Sequence, residues 1–103
     1  MANSIMPFDR MGRCYLCHKV LRTEKHHIFG AGMRDLSEEY GLTVNLCHAC
    51  HNEPPDGVHF NETKNKQLKA AAQTRAMYIY GWSIDEWRRL FRKDYRNIGE
   101  EYD

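Results

Sequence analysis

The feature that most restricts this chain is a pair of C-x2-C knuckles. Cys14 and Cys17 stand in "CYLC", Cys47 and Cys50 in "CHAC", with 29 residues between them. Two such turns closing one tetrahedral site form a recurrent structural zinc arrangement, each offering two thiolates at about 2.3 Å from a common ion. In a reducing compartment, four cysteines at this spacing are metal ligands more often than disulfides, and a redox C-x-x-C would need a thioredoxin-like βαβ pattern around it. Four sulfur ligands leave no open coordination position, so this zinc is expected to hold the fold together and not to perform chemistry.

A staple of this kind suits the chain. It has 103 residues, enough for one domain with a small core, and its mean hydropathy is −0.75. No apolar run reaches the roughly 18 residues a membrane span needs, and the opening "MANSIMPFDRMGR" lacks the apolar stretch of a signal peptide. A cytoplasmic protein with no membrane partner is the expectation. A formal net charge of +1 does not mark a strongly basic nucleic-acid binder, although charge concentrated on one face would not show in the total.

The character of the chain changes at about residue 60. The first half carries all four Cys and all six His, punctuated by Gly30, Gly32, Gly41, Pro54, Pro55 and Gly57, which suggests short strands and loops organised around metal. "SEEYG", with Ser37 as cap and Gly41 as stop, reads as a short helix before a strand-like "LTVNL". The second half reads as two helices. Asn61 caps the first, whose stripe is Leu68, Ala72, Ala76 and Ile79 and whose stop is Gly81. Ser83 and Glu86 stand at capping-box spacing before the second, with Ile84, Trp87, Phe91, Asp94 or Tyr95, and Ile98 at helical intervals. The fold class expected is α+β: one zinc-stapled domain, with a core over about residues 10–60 and a helical extension over about 61–98.

With sulfur filling the zinc site, the histidines are left for another task. His26 and His27 lie between the knuckles, His51 directly follows Cys50, and His59 lies eight residues further on; His18 and His48 sit inside or beside the knuckles. "CYLC", then "HHIFG", then "LCHACHN" resembles the HNH endonuclease superfamily in its version with two zinc knuckles. The wider pattern is similar to small phage and prophage HNH-like proteins, and the resemblance covers nearly the whole chain. It implies a ββα-metal fold and a metal-dependent endonuclease or nickase acting on DNA. By position it implies that His26, His51 and His59 bind a catalytic divalent cation, Mg2+ or Mn2+, and that His27 is the general base. His59 lies further from His51 than the usual one-turn spacing, and "EPPDG" must loop between them. The superfamily's bracing Asn would fall at residue 42, which is Leu42 here; Asn45 and Asn52 are the candidates to brace the base instead.

The chemistry asks for such a set independently of the family. Phosphodiester hydrolysis needs a nucleophile, a counter-charge for the transition state and help for the departing oxygen. A divalent cation can act as Lewis acid on one side of the phosphorus, while an imidazole, with an ordinary pKa near 6.5, takes the water proton on the other. Neighbouring residues can supply both if the backbone turns, and "FGAG" after the pair permits that.

Two cationic runs are candidate DNA contacts: Arg88, Arg89, Arg92, Lys93 and Arg96 near the end, and Arg10, Arg13, Lys19, Arg22 and Lys25 near the start. Such residues would grip phosphates with little sequence specificity. Two alternatives stand beside the nuclease. One is a non-catalytic zinc module that docks on DNA or on a phage or host recombination or packaging protein; in the other, His51 or His59 joins the zinc site.

Overall fold

The computed structural model describes residues 3–96. The chain is α+β, in the order β1 (Glu24–His27), α1 (Arg34–Tyr40), β2 (Thr43–Leu46), α2 (His48–Asn52), α3 (Glu62–Tyr80) and α4 (Ile84–Phe91). A short 3-10 turn, Ala31–Met33, precedes α1. Among the described residues no helix is long and apolar enough to cross a membrane.

The two strands pair antiparallel, with Glu24 opposite Leu46, His26 opposite Val44 and His27 opposite Thr43. Successive side chains of a strand point to opposite faces. Glu24 and His26 therefore share the face that reaches α2, while Lys25 and His27 share the face that reaches α1. The turn after the histidine doublet falls at Ala31, with φ 51°, and not at either flanking glycine.

α1 begins three residues before Ser37, so this serine is not its cap. Its buried hydroxyl donates to the Phe29 carbonyl (2.7 Å) and accepts from the Phe29 amide (3.0 Å), fastening the helix to the chain that leaves β1. Gly41 ends α1 in the left-handed region (φ 72°), and a Cβ there would collide with the Asn3 carbonyl oxygen. Glycine is required on both counts.

Each knuckle hangs on backbone bonds. The Cys14 amide donates to the Lys19 carbonyl and the His18 amide to the Cys14 carbonyl, both at 2.9 Å. The Tyr15 amide donates to the Asn45 carbonyl at 2.8 Å, which joins the first knuckle to β2. The second knuckle starts where β2 ends, because Cys47 is the N-cap residue of α2.

The helical half closes over this sheet. Asn61 caps α3 by accepting from the Lys64 amide, and Gly81 ends it. Leu68, Ala72 and Ala76 are buried as their spacing implied, but Ile79 is 43% exposed, and Met77 packs against the core from the same end of the helix. The capping box at Ser83 and Glu86 is formed in both directions. α4 stops at Phe91, short of the run to Ile98 that periodicity suggested, because Arg92 turns at φ 79°. Gln73, buried on α3, accepts from the Tyr95 amide (2.6 Å) and donates to Asp94 (3.0 Å), so the segment after α4 is held by side-chain bonds and not by helix. Ile98 lies outside the described residues. The core centres on Phe29 against Trp87, Phe91 and Tyr95, with Trp87 and Phe91 stacked at 4.0 Å.

Candidate metal centres

The four cysteine sulfurs converge. They lie within 4.8 Å of one another, with Cys17 and Cys47 Sγ 3.8 Å apart. Sulfurs placed tetrahedrally at about 2.3 Å from a zinc ion stand about 3.8 Å from each other, so the spacing fits that ion. The electrostatics fit as well. Burial opposes the Cys14 thiolate, but the amides of Cys17, Cys47 and Leu16 outweigh it and bring its pKa down to about 6. Cys50 is pushed up by burial and by the neighbouring thiols. At Cys17 the Lys19 amide favours the thiolate, yet burial and the Cys14 and Cys47 thiols outweigh it and the pKa is raised. Without a cation the cluster accepts one negative charge readily and resists the rest; a divalent ion removes that repulsion. These four residues could hold zinc.

A second convergence involves nitrogen only. One ring nitrogen from each of His26, His51 and His59 lies within the same 4.8 Å limit, and none of these histidines belongs to the sulfur group. His51 and His59 Nε2 stand 3.0 Å apart, and the three ring centroids are separated by 4.7 to 5.2 Å. Two nitrogens bound at right angles about 2.1 Å from one ion would also stand about 3.0 Å apart. His26 is 5% exposed, and its Nε2 is a buried polar atom with no hydrogen-bond partner. Such an orphan costs free energy unless something binds it. Burial, followed by the nearby histidines, drives the His26 pKa down to about 3, and burial also lowers that of His59. Both effects keep a lone pair available to a cation. His59 is exposed, so the cluster opens to solvent on that side, where three protein nitrogens leave further coordination positions free.

The loop after α2 explains how His59 returns from eight residues away. The Gly57 amide donates to the Glu53 carbonyl (2.7 Å), Val58 to Cys50 (2.8 Å) and His59 to His51 (3.4 Å), folding the segment back along α2. A Cβ on Gly57 would lie 2.7 Å from the Glu53 nitrogen and 2.8 Å from its oxygen, so no larger residue fits this approach.

Glu24 anchors the cluster from behind. Its two oxygens accept from His51 Nδ1 (2.8 Å) and His48 Nδ1 (3.1 Å), and these bonds lower its pKa. With Nδ1 of His51 committed as donor, Nε2 is left as the acceptor that faces His26 and His59. The sequence reading overlooked Glu24, although its place two residues before His26 puts it on the same strand face.

The remaining candidates are dispersed. His27 faces α1, where its Nε2 meets Glu38 at 2.6 Å. Asn45 does not reach His27: its amide and side chain both donate to Asp9 (2.8 and 3.2 Å). Asn52 donates to Glu24 (3.3 Å), so it belongs to the histidine cluster. Arg88 and Arg89 are exposed on α4, Arg92 is its C-cap, and Lys93 lies over the Tyr95 ring at 5.2 Å. Arg96 is paired with Asp94. In comparison with known proteins, no family model, no curated protein and no solved structure matches the chain.

Proposed function

We propose that this protein is an HNH-type endonuclease or nickase that hydrolyses phosphodiester bonds in DNA on a zinc-stapled ββα-metal core made by β1, β2 and α2. The observation that carries the reading is the buried, unpartnered Nε2 of His26, converging with His51 and His59 away from the sulfurs. A module that needed only its zinc would have no use for it.

In this reading His26, His51 and His59 hold a divalent cation, which when bound supplies Lewis-acid stabilisation of the phosphate and the departing oxygen. Three imidazoles with no carboxylate suit a transition ion such as nickel, iron or zinc better than magnesium, which demands oxygen ligands; manganese prefers oxygen but accepts imidazole and serves as a probe. His27, on the other strand face, takes the proton of the attacking water, and Glu24 fixes the His51 tautomer. Arg10, Arg13, Lys19 and Arg22 near the first knuckle, and Arg88, Arg89, Arg92 and Lys93 on and just after α4, have no salt-bridge partner among the described residues, whereas Arg96 is paired with Asp94, so both runs apart from Arg96 are free to contact phosphate.

The test is nicking of supercoiled plasmid by zinc-loaded protein with manganese, magnesium or nickel added. Cleavage that needs the added metal and is lost in His27→Ala, at unchanged zinc content, is expected. Cleavage by His27→Ala at the wild-type rate refutes the base. If protein with full zinc cuts no nucleic acid under any of these metals, the docking module becomes the better account.

A further inference from the structure

The strand register leaves one chemical question open. His27 points away from the histidine cluster, and the asparagine expected to brace a base is replaced by Leu42, which is fully buried. Asn45 is occupied by Asp9 and Asn52 by Glu24, so neither candidate substitute is at the base. What lies there is α1, folded back against β1. It ends at Tyr40, with two residues left before β2 starts at Thr43, and Ser37 pins it to Phe29. The residue after Ser37 is Glu38, whose Oε2 lies 2.6 Å from His27 Nε2 while its Oε1 accepts from Lys25 at 2.7 Å. The side chains of His27 and Glu38 are 14% and 22% exposed, so the bond is largely shielded from water.

We infer that Glu38 is the positioning residue of the general base, taking over through a side-chain carboxylate the role that the missing asparagine would have filled. This rests on the reading of His27 as the base. A carboxylate against Nε2 keeps the proton on that nitrogen and leaves the lone pair on Nδ1, so one ring edge is held and the other is offered to water. The imidazole is also fixed in rotation. Lys25, two residues before His27 on the same strand face, holds the second oxygen, which prevents the carboxylate from swinging away. The three side chains form a chain in which each end is tied to a backbone element. Its register depends on the alternation that separates His26 from His27: the doublet gives the buried face a metal ligand and the α1 face a braced imidazole.

The experiment uses the zinc-loaded protein with manganese and plasmid. Glu38→Gln is expected to lower kcat by about 10- to 100-fold, with KM, zinc content and melting temperature unchanged. Glu38→Asp should recover part of the loss, and Glu38→Gln should cost nothing further when added to His27→Ala, since residues acting as a unit are not additive. Unchanged kcat in Glu38→Gln, or an equal extra loss in the double variant, overturns the inference while leaving the base intact. His27→Ala cutting as well as wild type overturns the base reading instead, so the two failures are distinguishable. Should Glu38→Gln fold poorly, the wild-type protein still decides. Nitrogen-15 correlation of its imidazoles should show His27 protonated at Nε2 and bare at Nδ1; the opposite tautomer would contradict the assignment.

Discussion

Gly57→Ala is the substitution that most directly couples the loop after α2 to the histidine cluster. Ordinary contact at a Cβ begins near 3.4 Å, while the added methyl would meet the Glu53 nitrogen at 2.7 Å, the Glu53 oxygen at 2.8 Å and the Ala49 oxygen at 3.1 Å. All three are backbone atoms, so no side chain can rotate away and the loop itself must retreat by about 0.7 Å. The bond from the His59 amide to His51 is already 3.4 Å and breaks first. Metal–ligand distances tolerate only about 0.2 Å, so His59 is lost as a ligand. The variant should lose about 1–3 kcal/mol of stability. Its manganese affinity should fall about 10- to 100-fold, close to the fall in His59→Ala, with zinc content unchanged. Gly32→Ala, where the added Cβ meets nothing within 4 Å, is the control. Titration calorimetry with manganese on zinc-loaded protein reads the effect. Wild-type manganese affinity in Gly57→Ala would mean that the loop does not hold His59 at a metal.

Three further outcomes follow from the structure. Because the His26 pKa is about 3 folded and about 6.5 unfolded, the unfolded chain takes up the extra proton, so stability present above pH 6.5 is lost as pH falls toward 3; at pH 5 the loss is about 2 kcal/mol, and in urea melts the drop in stability from neutral pH to pH 5 should be larger by that amount in wild type than in His26→Leu. Stripping zinc with a strong chelator, or Cys47→Ser, should abolish the folded far-ultraviolet circular dichroism signal before any other site is emptied. Gln73→Leu, which leaves the Tyr95 amide without its acceptor, should cost about 1–3 kcal/mol in chemical denaturation while manganese binding stays intact.

What could be read from the sequence depended on how local its cause was. The cysteine turns, the Asn61 cap, the Ser83–Glu86 box and the Gly41 and Gly81 stops act within a few residues of themselves, and the structure bears them out. The end of α4 was not legible, because Gln73, distant in sequence, captures the backbone that periodicity would have continued as helix. Ser37 misled for the same reason: a hydroxyl at a plausible cap position is drawn instead to Phe29 across the turn. In the candidate site, His26 and His51 could be named from their neighbours, while the return of His59 depends on Gly57 packing against α2. Glu24 was recoverable from strand alternation. Glu38 was not, since its meeting with His27 exists only once α1 folds back against β1.

X-ray absorption on protein loaded with both zinc and manganese tests the central claim, that the chain carries a sulfur centre and a separate nitrogen centre. Four sulfurs at about 2.3 Å around zinc, only nitrogen and oxygen around manganese, and loss of the manganese signal in His51→Ala are expected. A single ion with sulfur and imidazole on the same metal would contradict that claim.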